Sequence, residues 1–507
     1  MASEQQHGKL VVAGLLLAIL MSAMDNTIVA TAMGTIVGDL GGLDKFVWVT
    51  SAYMVAVMAG MPIFGKLSDM YGRKRFFIFG LLIFLLGSAL CGIAQSIEQL
   101  SIYRAIQGIG GGALMPIAFT IVFDIFPPEK RGKMTGLLGA VFGIASVFGP
   151  LLGAYITEYI NWHWVFYVNV PIGIVSLFLI VRYYHEVSER STQRIDWGGA
   201  ITLVVAVVSL MFALELGGKE YAWSSIQIIA LFITFVIFLL SFLFIETRAQ
   251  EPIISFWMFK RRIFATAQIL AFLYGSTFVI LTVFIPIFVQ AVYGGSATNA
   301  GLILTPMMLG SVAGSGIGGV FQAKTSYRSL MIISIISFAT GMGFLTTLTP
   351  DTARFLVTVY MVLAGFGVGF SFSLLPIASV HEIDMRHRGS ANSTNSFSRS
   401  LGMTLGITIF GAIQTKVFSN KLTESFSGQQ MGSFGDPRDI FEPAQRANIP
   451  DFVLDNIVMA MSQSITFMYK LALIPIAIAL VTVLLMGNAR VEVKKDQATT
   501  KPAPSHS

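Results

Sequence analysis

Gly65-Lys66-Leu67-Ser68-Asp69-Met70-Tyr71-Gly72-Arg73-Lys74-Arg75 lies between two long apolar runs, 47–64 and 76–94. The stretch is too short for a domain linker and too charged for lipid, so it reads as a tight connection at a membrane face. Lys and Arg are retained on the cytoplasmic side of membrane proteins, which puts Lys66, Arg73, Lys74 and Arg75 in the cytoplasm. Gly65 and Gly72 permit close backbone approach and positive φ, as a turn between two spanning helices requires. Asp69 is the acid among these bases, placed to pair with Arg73 or to sit at a helix N-terminus.

The whole composition agrees with a membrane setting. The 507 residues are 54% hydrophobic and 12% charged, against about 25% charged in a typical soluble domain. Mean hydropathy is +0.74, and apolar stretches near ~20 residues are too numerous for a soluble core. A net charge of +6 does not point to nucleic acid. The cations are confined to loops, where cytoplasmic retention accounts for them. Cys91 is the single cysteine, so no intrachain disulfide forms, and the six histidines are scattered without cysteine partners for a metal. No nucleophile–base set supports an enzyme, and no Gly-x-x-x-x-Gly-Lys-Ser/Thr supports ATP-driven transport. The run 10–37 is too long for a signal-peptide core and contains Asp25, so it is expected as the first spanning helix.

Apolar runs bounded by charges or turn residues predict about 14 spanning helices in an all-α integral membrane protein. The first six fall near 10–36, 47–67, 75–95, 98–124, 132–157 and 163–184. Two more follow near 197–217 and 224–245. The last six fall near 263–292, 297–322, 328–347, 354–380, 391–417 and 463–487. With both termini cytoplasmic, the cytoplasmic side receives roughly three times as many Lys and Arg as the other, the asymmetry of a correct topology. The grouping reads as an N-terminal six-helix bundle (1–190), two inserted helices (191–250) and a C-terminal six-helix bundle (251–490). That last unit includes a long external loop, 419–463, with a short amphipathic helix near 451–461. A disordered cytoplasmic tail, 491–507, completes the chain. Gly319-Val320-Phe321-Gln322-Ala323-Lys324 is a faint copy of the opening stretch, without its acid.

Ionisable residues deep in apolar runs are scarce, and each is a candidate functional group. Asp25 lies some ~22 Å along the first helix. It is either a titrating site or a paired acid that holds two helices together. Arg104, about ~9 Å from the outer end of the fourth helix, either faces the interior or snorkels to the interface. The fifth helix contains Gly139-x-x-x-Gly143 and Gly149-Pro150-Leu151-Leu152-Gly153, small residues that form a seam and a proline that removes a helical hydrogen bond. Arg399 sits one or two turns inside the thirteenth helix, a position from which it can snorkel. No deep acid is found in the last six helices. Trp162-His163-Trp164 suits an outer aromatic belt.

Several of these stretches carry a resemblance. Gly-x-Leu-x-Asp-x-x-Gly-Arg-Lys-Arg at 65–75 resembles the loop signature of the major facilitator superfamily. Met24-Asp25-Asn26-Thr27 resembles the first-helix signature of its drug/proton antiporters, and Arg104-x-x-Gln107-Gly108 a second signature whose arginine is implicated in proton movement. The seam at Gly143, Gly149, Pro150 and Gly153 is similar to one found in exporters of the superfamily. Trp162-His163-Trp164-Val165-Phe166 and Arg399-Ser400-Leu401-Gly402 resemble its fourteen-helix branch, which usually has arginine where His163 stands.

The resemblance implies the major facilitator fold, two six-helix bundles plus two extra transmembrane helices. It implies proton-coupled efflux of lipophilic, often cationic drugs by alternating access, with the proton gradient as energy source and no cofactor. Asp25 and Arg104 are then the coupling and substrate residues. Gly65, Asp69, Gly72, Arg73 and Asp124 form the gating loop, with Asp69 at the start of the thirteenth helix near 389–392 and Arg73 paired with Asp124 or Glu129. The expected setting is a bacterial cytoplasmic membrane, as a monomer contacting lipid, drugs and protons and no nucleic acid. The alternative is a proton-coupled carrier of one solute, such as a metal–antibiotic chelate, a lipid or a siderophore.

Overall fold

A computed structural model of the chain describes residues 2–41, 45, 47–186, 195–218, 220–294, 303–426, 446 and 449–490. Lipid offers no partner for backbone N–H and C=O groups, so each apolar run satisfies them internally as a helix. The N-terminal helices are α1 (Ala2–Leu40), α2 (Val47–Tyr71), α3 (Arg73–Cys91), α4 (Ile97–Ile125), α5 (Pro128–Tyr159) and α6 (Trp164–Tyr183). Helices α7 (Trp197–Leu216) and α8 (Ile226–Glu246) follow. The C-terminal helices are α9 (Arg262–Ala291), α10 (Thr305–Phe321), α11 (Tyr327–Leu345), α12 (Arg354–Ser379), α13 (Arg388–Ser425) and α14 (Asp451–Leu485). Thirteen are long and apolar enough to cross a membrane. The remaining one, α10, spans 17 described residues and directly follows a stretch outside the description.

The two sets of six pack alike. In the first, α1 packs on α5 and α6, α2 on α4, and α3 on α4 and α6. In the second, α9 packs on α13 and α14, α10 on α12, and α11 on α12 and α14. Each pairing in one set therefore has its counterpart in the other. The contacts between sets obey the same relation, with α5 against α10 and α12, and α13 against α2 and α4. This is the packing of two structurally equivalent six-helix repeats. Helix α7 packs on α8 and α2, whereas the principal neighbour of α8 is α7. Little of α8 is buried, and Ile226, Ile233, Ile237 and Leu240 are exposed, as in an apolar helix facing lipid.

The external loop expected over 419–463 is shorter at both ends. Helix α13 continues to Ser425, and α14 is already helical from Asp451 without a break. The short helix expected near 451–461 is thus the first part of α14. Hydropathy marks where a chain leaves lipid, but a helix ends only where its backbone bonds do. Polar residues such as Lys416 and Lys421 propagate a helix well. Likewise α1 extends beyond 10–36 on both sides. Most of the remaining loop, the tail 491–507 and the link 187–194 lie outside the described residues. Helix α5 runs through Pro150 uninterrupted.

Candidate functional site

The basic connection is one of two close meeting points of the two bundles. Gly72 has φ 109°, a conformation that glycine adopts without strain. It lets α3 start directly after α2, with Glu186 accepting from the backbone N–H groups of Arg73 and Lys74 at the new N-terminus. Gly65 serves by its size: a Cβ there would overlap Ser393 and approach the Gly389 carbonyl to 2.8 Å. Asp69 is buried and accepts from the backbone N–H of Gly389 at 2.8 Å and of Ser390 at 2.7 Å. These are orphan donors in the first turn of α13, where a carboxylate meets the positive end of the helix dipole. Arg73 bonds Asp69 at 3.2 Å, pairs with Asp124 on α4 and donates to the Met385 carbonyl. Arg73 thus takes Asp124 rather than Glu129. Lys66 pairs with Glu251.

The symmetry-related contact lacks this chemistry. Gly319 on α10 abuts Gly132 near the start of α5, and a Cβ on Gly132 would overlap Gln322. Gln322 is buried there, and among the described residues neither its Oε1 nor its Nε2 has a hydrogen-bond partner. One ionic contact and one neutral glycine contact therefore join the bundles at the same face.

Asp25 and Arg104 are brought together, both fully buried, with Arg104 Nη1 donating to Asp25 Oδ2. Arg104 neither snorkels nor stands alone. Its Nε donates to the Val49 carbonyl at 3.3 Å, its Nη1 to Gln107 Oε1 at 2.8 Å, and its Nη2 to Asn26 Oδ1 at 3.4 Å. The guanidinium carbon lies 4.0 Å from the centre of the Tyr53 ring, a cation–π contact that covers its other side. Asp25 Oδ1 accepts from Gln107 Nε2 at 2.8 Å and from Asn169 Nδ2 at 2.9 Å. Asn169 also donates to Ser88 Oγ at 3.0 Å, and Ser88 donates onward to the Phe166 carbonyl at 2.8 Å. An ion pair stripped of water persists only when its remaining donors and acceptors are satisfied. Here α1, α2, α3, α4 and α6 all contribute to that end.

Asn169, Ser88 and Tyr53 were not anticipated as members of this network. Asn169 sits in a stretch that reads as aromatic belt, and its one sequence signal is an amide within an apolar helix, which predicts a polar partner without naming it.

The α5 seam faces two helices. Gly149 and Gly153 lie against Thr27 and Thr31 of α1, so closely that a Cβ on either would overlap the threonine hydroxyl. Gly143 faces α10, where a Cβ would meet Val312 at 3.0 Å and the Met308 carbonyl at 3.2 Å. The glycines thus let one helix pack against its own bundle and against the other. Pro150 lies within the helix between these contacts.

Arg399 does not snorkel. It is buried, donates from Nη1 to Ser371 Oγ at 3.2 Å and from Nη2 to the Ser371 carbonyl at 3.0 Å, and lies 4.5 Å from the Phe372 ring centre. His163 stacks on Trp162, whose indole N–H donates to Asp39 Oδ2 at 2.8 Å. No group of acids, histidines or cysteines among the described residues has the arrangement of a metal site.

The sequence profile described as Major Facilitator Superfamily matches residues 15–407. The chain is 68% identical over 497 residues to Multidrug resistance protein 3 of Bacillus subtilis (strain 168), covering 97% of each. It is 36% identical to Multidrug transporter protein MdtP of the same organism, covering 99% of each. Among solved structures it resembles the proton:xylose symporter XylE, with a TM-score of 0.61 at 13% identity over 96% of this chain and 98% of that one.

Proposed function

The chain belongs to the Major Facilitator Superfamily of multi-pass membrane transporters, and on that premise we propose that it exports lipophilic drugs from a bacterial cell in exchange for protons. The relatives named as multidrug proteins support drugs as the substrate class. One observation carries the proton coupling: a carboxylate, Asp25, is buried within the membrane part of the N-terminal bundle and ion-paired to Arg104. Ionisable groups at such depth are costly and mark ion or proton pathways.

The working cycle we propose builds on these bonds. A proton arriving on Asp25 Oδ2 takes the lone pair that Arg104 uses and loosens α1 from α4. Release of that proton to the cytoplasm restores the pair. The Lys66–Arg75 connection lies in the cytoplasm by charge retention, as do both termini. The closed basic face then corresponds to an outward-facing state, latched by Asp69 on α13. Towards the opposite ends, Gly34, Gly38 and Gly411 have open space beside them. Alternating access requires this latch to open while an outer contact forms. The proton gradient is the energy source.

Everted membrane vesicles test the reading. Vesicles carrying the protein should concentrate a fluorescent lipophilic drug when the interior is acid, and added drug should release protons from it. Drug accumulation that persists after the proton gradient is collapsed would overturn the antiport mechanism.

A further inference from the structure

The buried charges of the two bundles do not balance. Asp25 and Arg104 form a neutral pair. Lys66, Arg73 and Arg388, at the basic face, each reach a carboxylate, respectively Glu251, Asp69 with Asp124, and Asp124. Arg399 is buried about 16 Å along α13 by helical rise, yet among the described residues its polar partners are the Ser371 hydroxyl and carbonyl alone. A buried cation without an anion is one of the costliest arrangements a membrane protein holds, and such residues mark sites of function.

The surroundings offer donors and rings rather than acids. One turn before Arg399, Asn395 donates to Gln268 Oε1 on α9 at 3.4 Å, and the buried Gln268 Nε2 has no acceptor among the described residues. Arg399 lies over Phe372, which stacks at 6.0 Å and 8° with Phe142 and meets Phe278 edge-on at 5.7 Å and 85°. Phe142 belongs to α5 and the other two rings to α12 and α9, so the cluster bridges the bundles. Phe142 and Phe278 are half-buried, leaving part of each ring accessible. The chemistry is that of a guanidinium fork for a carboxylate beside aromatic faces for a flat apolar body.

We propose that Arg399, with Gln268 and the Phe142–Phe278–Phe372 cluster, is the subsite for a carboxylate carried by the transported aromatic compound. The inference rests on the efflux reading and sharpens it: favoured substrates are anionic or zwitterionic, rather than the cationic drugs implied by the family resemblance. Asp25, held by three donors, is not the primary substrate contact.

Rhodamine B and its ethyl ester test this, because they share a chromophore and differ in one free carboxylate. Binding to the purified full-length protein is read by fluorescence anisotropy, and transport by everted vesicles. Wild type should bind the acid at least about tenfold more tightly than the ester, the scale of one charge-assisted hydrogen bond. Arg399→Gln should bring the acid to within about twofold of the ester, and Arg399→Lys should retain part of the preference. Equal or undetectable binding of both dyes by wild type, or equal losses for both in Arg399→Gln, would overturn the subsite. If the binding preference appears and vanishes as expected but vesicles move neither dye, the subsite stands and the efflux reading fails.

Discussion

Asp69 reaches across the two bundles to Gly389, whose backbone N–H it accepts at 2.8 Å, and its second oxygen takes the next N–H, that of Ser390, at 2.7 Å. Both oxygens of one acid are thereby spent on the first turn of α13. In the proposed cycle the bond holds only while the basic face is closed. Asp69→Asn replaces one acceptor by an amide N–H that faces another donor. Charge-assisted bonds of this kind contribute about 1.5–3 kcal/mol, so the closed state should lose at least about tenfold in population. Turnover should fall about tenfold while equilibrium drug binding changes by less than about twofold, since the contact touches no substrate and a drug bound equally by both states does not sense their ratio. Unaltered turnover at equal expression would remove the latch from the mechanism.

The seam between α5 and α1 makes a second, steric prediction. Gly149 leaves no room for a Cβ because Thr27 Oγ1 occupies the space, and Thr27 itself donates to the Met24 carbonyl at 2.8 Å. Thr27 lies two residues beyond Asp25, so a shift of α1 here displaces the acid from Gln107 and Asn169. Gly149→Ala should lower melting stability by about 1–3 kcal/mol, the usual cost of overpacking, and transport should fall with it. Thr27→Ala removes the obstructing hydroxyl, so the double variant should recover part of both losses. Additive losses in the double variant would show that the damage lies elsewhere.

These two contacts differ in how far the sequence reveals them. Spans, their order and the six-two-six grouping follow from apolar run length and charge asymmetry, because lipid imposes both on the chain directly. The Asp69 contact was foreseen only through family resemblance, since nothing local in 65–75 points to a helix more than three hundred residues away. Asn169 donating to Asp25 was not foreseen, because a hydrogen bond between α1 and α6 depends on how helices rotate about their axes. Apolar character all round a membrane helix leaves that rotation unspecified. The external loop expected over 419–463 is too long for the opposite reason, as helical bonding outlasts hydrophobicity at the end of α13.

Helices α7 and α8 should stay clear of the substrate path. Glu246 at the end of α8 is buried and accepts from the backbone N–H of Ile253 at 3.1 Å and of Ile254 at 3.4 Å, anchoring the pair near the basic face. The rest of α8 offers apolar side chains such as Ile233, Ile237 and Leu240 to its surroundings. A photoreactive drug analogue should label α9, α12 or α13 at least about tenfold more than 197–246, and excess unlabelled drug should suppress that labelling. Drug-protectable labelling concentrated in α7 and α8 would place the path beside the inserted pair.

Coupling through Asp25 can be separated from its structural part by removing its partner as well. Asp25→Asn abolishes the titrating carboxylate, but it also leaves Arg104 buried without a carboxylate among the described residues. Breaking one side of a buried pair costs about 3–5 kcal/mol, whereas replacing both charges by neutral groups of similar size is often close to neutral. Asp25→Asn should therefore melt well below wild type, and Asp25→Asn with Arg104→Gln should recover most of that stability. Gln107 and Asn169 still offer amides to the asparagine oxygen in the double variant, which keeps that oxygen satisfied. Both variants should nonetheless fail to concentrate drug in energised vesicles or to release protons on drug addition, because neither holds a titrating group there. Downhill exchange should survive in the stable double variant at a rate within about tenfold of wild type. A double variant that folds and still pumps drug uphill would move the coupling proton away from Asp25.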